Sequence, residues 1–152
     1  MLRRSLALAV ATLAFGAVAA EKKIHIVYMG GNDCPPCRAW RATELPKLQK
    51  MEAFQRVQFT YVEKLIKSPV PPALFLPSEV VQYKGQLDTA SNGIIGSPQT
   101  AVMVDGKVYD YFWGVRTASD IGGMIKALNQ GKPYPFDRCV QRKSQRECAK
   151  RS

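Results

Sequence analysis

Lys23-Ile24-His25-Ile26-Val27-Tyr28-Met29-Gly30-Gly31-Asn32-Asp33-Cys34-Pro35-Pro36-Cys37 is the stretch whose reading decides how this chain folds. Lys23–Met29 is short, β-branched and almost continuously apolar, as expected of a strand buried on both faces of a sheet. Gly30-Gly31-Asn32-Asp33 closes it with a loop signal. Two consecutive prolines fit only the first turn of a helix, where the missing amides would have had no partner. Beyond them Cys37, Trp40, Leu45, Leu48, Met51 and Phe54 recur at helical spacing, and Pro46 is expected to kink or interrupt that helix. A strand therefore hands over to a helix at a pair of cysteines.

That handover suits thiol chemistry. The thiolate is the form that attacks a disulfide, and a cysteine at a helix N-terminus has its anion stabilised by unpaired amides and the helix dipole. Cys34 is accordingly the expected nucleophile, at the exposed helix start. Cys37 lies one turn deeper, more shielded, where it can resolve a mixed disulfide by attacking the Cys34 sulfur. A zinc site would need two further ligands, and His25, Cys139 and Cys148 offer no common ligand spacing. A purely structural bridge across so short a loop would constrain the unfolded chain little, and a haem attachment site would need histidine where Arg38 stands.

Outward from this motif, Val57–Val62 alternates and reads as a second strand, and Ser68-Pro69-Val70-Pro71-Pro72 as an irregular connection. A helical pattern runs from Ser78 to about Ala90, with Gly85 inside it. Thr100–Val104 and Lys107–Phe112 flank Asp105-Gly106, a strong hairpin signal. Thr117-Ala118-Ser119-Asp120 resembles a capping box opening a terminal helix that ends at Gly131. The order is strand, helix, strand, helix, hairpin, helix.

Strand–loop–Cys34-Pro-Pro-Cys37–helix, followed downstream by Gly96-Ser97-Pro98 just before a hairpin, resembles the thioredoxin superfamily over Lys23 to Gly131. The resemblance implies an α/β fold: a single thioredoxin-like domain with a central mixed sheet of about four strands flanked by helices. Its minimal core is βαβ–ββα, with an inserted loop and helix region around Pro69–Pro77. It also implies that Pro98 is the family's cis-proline, that its loop packs against the cysteine pair, and that the Ser97 backbone pairs with substrate. The chain departs from the cytosolic thioredoxins in having Asp33 where they have tryptophan, and no carboxylate in Ile24–Met29. Pro35-Pro36 matches neither the Gly-Pro of reducing thioredoxins nor the Pro-His of DsbA oxidases. Prolines remove amides that could stabilise the thiolate, which leans towards reduction.

Met1–Ala20 reads as a cleaved signal peptide: Arg3 and Arg4, an apolar Leu6–Val18, and Ala17-Val18-Ala19 for the peptidase. The apolar run is short of the ~20 residues of a membrane span. Periplasmic location is the expectation, with 21–131 as the domain and 132–152 as a basic tail. The formal charge of +10 becomes +8 once Arg3 and Arg4 leave. Export argues against nucleic acid as the partner of that charge. The tail is expected to be solvated and weakly attracted to anionic surfaces, with Cys139 and Cys148 paired as a structural disulfide in an oxidising compartment. The functional expectation is thiol–disulfide exchange with exported proteins and a membrane or periplasmic redox partner, with no metal and no organic cofactor. The alternative is a non-catalytic binding or assembly factor, such as a metallochaperone, on the same fold.

Overall fold

A computed structural model describes residues 21–141; Met1–Ala20, Cys148 and the rest of the chain's end lie outside the described residues. The apolar run folds as β1 (Ile24–Gly30), buried at every position. It pairs in parallel with β2 (Gln58–Glu63) and antiparallel with β3 (Gln99–Val104). β3 in turn pairs antiparallel with β4 (Lys107–Trp113), so the sheet order is β2-β1-β3-β4. This single mixed sheet, flanked by helices, is the architecture that the thioredoxin-like resemblance implies.

Because side chains alternate along a strand, β1 feeds two cores. Ile24, Ile26 and Tyr28 meet Trp40 of α1 (Pro35–Thr43), Leu48 of α2 (Leu45–Gln49) and Phe54 of α3 (Glu52–Gln55). Ile121, Met124, Ile125 and Leu128 of α6 (Ala118–Gln130) complete that side. Val27 and Met29 face the other way, onto Val70 and Leu76 of the proline-rich connection, Val80 of α4 (Ser78–Val81) and Leu87 of α5 (Lys84–Ser91).

Local sequence explains the breaks. Pro46 lies in the first turn of α2, and Glu44 closes α1 while opening α2. The helical pattern from Ser78 to Ala90 is divided at Gln82-Tyr83, whereas Gly85 sits inside α5. Asp105 and Gly106 both have positive φ, 50° and 78°, the conformation of a type I′ hairpin turn. Thr117 and Asp120 form the capping box of α6, and Gly131 ends it at φ 63°.

Packing does not stop at Gly131, where the basic tail was expected to begin. The Tyr134 hydroxyl donates to Asp110 Oδ2 at 3.0 Å and the Cys139 amide to Asp110 Oδ1 at 2.9 Å. The Arg116 guanidinium lies between the rings of Phe112 and Phe136, 4.4 and 3.8 Å from their centroids, and Arg138 lies over Tyr109. Residues 132–141 thus form a strap over β4, with Tyr134 and Phe136 half-buried against the core. The expected Cys139–Cys148 bridge involves a residue outside the described region. Among the described residues no helix is long and apolar enough to cross a membrane.

Candidate redox site at the end of the central strand

Cys34 is the N-cap of α1 in extended conformation, φ −108° and ψ 101°. Pro35 and Pro36 fill the following positions without amides, so the first N–H free to point at the cap is that of Cys37. It donates to Cys34 Sγ at 3.3 Å. The two cysteines are joined by a disulfide with a Cα–Cα distance of 5.2 Å. In this oxidised form both are 0% exposed. Cys34, expected to be the exposed thiol of the reduced pair, is thus covered in the oxidised form, where the flanking Asp33, Pro35 and Pro36 are at the surface.

The glycines read as a loop signal have a more specific task. A Cβ on Gly30, the last residue of β1, would lie 2.9 Å from Cys37 Sγ and 3.0 Å from the Tyr28 ring. One on Gly31 would lie 2.2 Å from the Lys64 carbonyl oxygen and 2.6 Å from Asp33 Oδ1. Only hydrogen fits at either position, so the pair lets the disulfide sit directly on the strand end. Asp33 fixes the loop by accepting the Ile66 amide at 3.0 Å. On the helix side, Trp40 stacks on Tyr28 with centroids 4.2 Å apart, a contact contributing about 0.5–1.5 kcal/mol beyond area burial. Its indole donates to the Arg116 carbonyl at 2.7 Å, and Glu44 takes the Ala118 amide at 2.7 Å, tying α1 to the start of α6.

Pro98 is brought to the same place by sheet register. Met29 faces Gln99 across the β1–β3 ladder, so the next position along pairs Gly30 with Pro98. The Ser97–Pro98 peptide bond is cis, and the Pro98 carbonyl accepts the Gly114 amide at 2.9 Å. On the other side of Gly30, its carbonyl accepts the Lys64 amide at 3.0 Å. A row of Lys64, Gly30, Pro98 and Gly114 thus crosses the end of the sheet beneath the disulfide. Among the described residues no backbone group bonds to the Ser97 N–H or C=O. Ile95 and Val115, on the segments that bracket Pro98, are exposed apolar residues, as is Leu65 next to Lys64.

No carboxylate stands on β1 behind Cys37; Tyr28 takes that place. Burial raises its hydroxyl well above the usual tyrosine range, with the neighbouring Tyr61 adding to the effect and Arg41 opposing it. Neither the Tyr28 nor the Tyr61 hydroxyl has a hydrogen-bond partner among the described residues. The structure brings Cys34, Cys37 and Pro98 to one strand end, while Cys139 lies away from them on the strap. His25 is buried at the opposite end of β1, with Nε2 2.9 Å from Thr60 Oγ1.

No family model matches the chain, and no curated protein matches it. Among solved structures it is similar to the reduced form of desulfothioredoxin from Desulfovibrio vulgaris Hildenborough, at 19% identity and a TM-score of 0.43, over 72% of this chain and 81% of that one. It is also similar to a thiol:disulfide interchange protein of the thioredoxin family from Chlorobium tepidum TLS, at 21% identity and a TM-score of 0.45, over 70% of this chain and 79% of that one.

Proposed function

We propose that this chain is an exported, periplasmic thiol–disulfide oxidoreductase acting on protein substrates through Cys34 and Cys37, in the direction of substrate reduction. The observation that carries the reading is the disulfide itself. It lies at a helix N-cap, is seated on two glycines that admit no side chain, and has Pro98 and the open Ser97 backbone one register step away.

The exchange needs no metal or organic cofactor. In the reduced protein the Cys34 thiolate attacks one sulfur of a substrate disulfide; a mixed disulfide forms and the other substrate sulfur leaves as thiolate, taking a proton from solvent. Cys37, deprotonated in turn, attacks Cys34 Sγ, which re-forms the Cys34–Cys37 bond and releases the second substrate thiol. The substrate gains two electrons and the protein loses two, to be restored by a redox partner at the membrane or in the periplasm. Ser97 would hold an extended substrate segment by backbone hydrogen bonds beside the attacking sulfur. The lean to reduction rests on the first turn of α1, where Pro35 and Pro36 leave only the Cys37 amide on Cys34 Sγ.

Cys37→Ala tests this. Lacking the resolving thiol, it is expected to accumulate mixed disulfides between Cys34 and exported proteins, visible on non-reducing denaturing gels and lost in Cys34→Ala/Cys37→Ala. If no covalent partner appears, the oxidoreductase reading fails and a binding role takes its place.

A further inference from the structure

Lys64 follows β2 and is only 5% exposed, yet it makes no ion pair within 4 Å among the described residues. Its Nζ reaches past the end of β1 and donates to the Gly96 carbonyl at 2.6 Å and to Ser97 Oγ at 3.2 Å. The side chain thus reaches from the end of β2, past the end of β1, to the loop before β3. Satisfying the Gly96 carbonyl does not require it. Gln99 Nε2 already donates to that oxygen at 2.8 Å, and Gln99 Oε1 in turn accepts the Tyr111 hydroxyl at 2.5 Å. Burying an ammonium is costly unless it is well compensated, and a methionine of similar length would fill the space without that cost. What the lysine adds is a positive charge at the site end of the sheet, fixed under the loop before Pro98 on the Met29 and Gln99 face, with the β1 backbone at Gly30 between it and the Cys37 side.

We propose that Lys64 is a positioning residue of the redox centre. Its ammonium holds Gly96–Ser97 in the orientation that offers the Ser97 backbone to a substrate strand, and its charge favours the thiolate of the reduced pair. The proposal rests on the oxidoreductase reading above for its substrate, while the effect on the thiols can be measured without any substrate. Among the groups around the amine, Asp33 on the loop before α1 is the charged neighbour and favours the protonated form. Glu63, preceding Lys64, is turned to Asn32 at the surface. Tyr111 on β4 is joined to the amine through Gln99 and Gly96, and Tyr28 and the cysteines lie across Gly30. Burial lowers the Lys64 amine to about 8, so its charge is lost within the range where thiol reactivity can be followed.

The test uses the reduced full-length protein with Lys64→Met, which keeps the bulk, and Lys64→Gln, which keeps a donor without charge. The first readout is the rate of Cys34 alkylation by iodoacetamide between pH 5 and 10. Loss of the positive charge at the site end disfavours the thiolate, so the midpoint is expected to move up in both variants, by less than the ~1–3 units that a charge in direct contact would give. The second readout is turnover of a disulfide-bonded peptide. KM is expected to rise several-fold in Lys64→Met and less in Lys64→Gln, with kcat at saturating peptide changed less than KM. A folded Lys64→Met or Lys64→Gln protein with an unchanged alkylation profile and unchanged KM overturns the proposal. Absence of peptide turnover in the wild type would overturn the oxidoreductase reading, and the alkylation midpoint would still decide the role of Lys64.

Discussion

Lys64 at the site end of the sheet and Asp110 at its β4 edge are both buried, and they are held in opposite ways. The Asp110 oxygens accept from the Tyr111 amide, the Tyr134 hydroxyl and the Cys139 amide, donors drawn from β4 itself and from the strap. Lys64 has one carbonyl, already served by Gln99, and one hydroxyl. The β4 edge is therefore built for cohesion, since each strap donor finds a buried acceptor it would otherwise lack. At the site end a charge is tolerated, with close glycines, an open backbone at Ser97 and a helix cap made by a sulfur. Stability and chemistry are assigned to different margins of one sheet.

The largest expected effect is at the cohesive margin. Asp110→Ala strands the Tyr134 hydroxyl and the Cys139 amide; each buried unsatisfied group costs about 1–3 kcal/mol. A loss of about 3 kcal/mol in urea unfolding is expected, with Asp110→Asn milder because its amide oxygen still accepts. At a temperature where the variant is folded, the alkylation rate of Cys34 in the reduced protein should stay within about twofold of wild type. A tenfold change there would show that the strap and the site are coupled and would erase the division drawn above.

A pH series separates the two margins by sign. Free lysine keeps its proton to about 10.5, whereas burial, partly opposed by Asp33, brings folded Lys64 to about 8. Between these values the unfolded chain binds more protons, so stability rises with pH; the cost of burying the charge is present in full below pH 8 and relieved above it. The difference corresponds to about 3 kcal/mol at 1.36 kcal/mol per unit. Burial raises the hydroxyls of Tyr28, Tyr61, Tyr111 and Tyr134, so above about pH 10 the unfolded chain loses protons first and stability falls again. Urea midpoints of the oxidised protein should climb from pH 8 to about 10 and then drop, and in Lys64→Met the climb should vanish while the drop remains. A wild-type curve flat between pH 8 and 10 would contradict the description of Lys64 as a costly buried cation.

What could be read from the sequence follows the same division. The central strand, the proline-opened helix, the Asp105-Gly106 turn and the Thr117–Asp120 cap are local patterns, each with its cause within a few residues. The cysteine pair was legible for the same reason, and Pro98 through its position before a hairpin. The strap was not, because Tyr134, Phe136 and Arg138 lie in an aperiodic stretch whose partners Asp110, Phe112 and Tyr109 belong to another element. Nor was Lys64, since a lysine just past a strand reads as a solvated end until the chain is folded over it. Nor was the burial of Cys34 in the oxidised pair.

The finest contrast lies between glycines. Gly85 is inside α5, and a Cβ there would meet nothing within 4 Å. Gly85→Ala should therefore stabilise by about 0.5–1 kcal/mol, from better helix propensity and a less flexible unfolded chain. At Gly30 the same methyl must displace Cys37 Sγ, 2.9 Å away, and the Cys37 Cβ at 3.1 Å. Neither atom is the free end of a flexible side chain, because the disulfide and the first turn of α1 hold both. Overpacking of this kind costs about 1–3 kcal/mol, so Gly30→Ala is expected in the upper part of that range. It should also displace Cys37 relative to Cys34 and slow closure of the disulfide, read as slower oxidation of the reduced protein by oxidised glutathione at pH 7. Gly85→Ala should oxidise at the wild-type rate. If Gly30→Ala matched it in both stability and oxidation rate, the glycines at the strand end would be no more than a loop signal, and the close seat of the disulfide would not constrain the site.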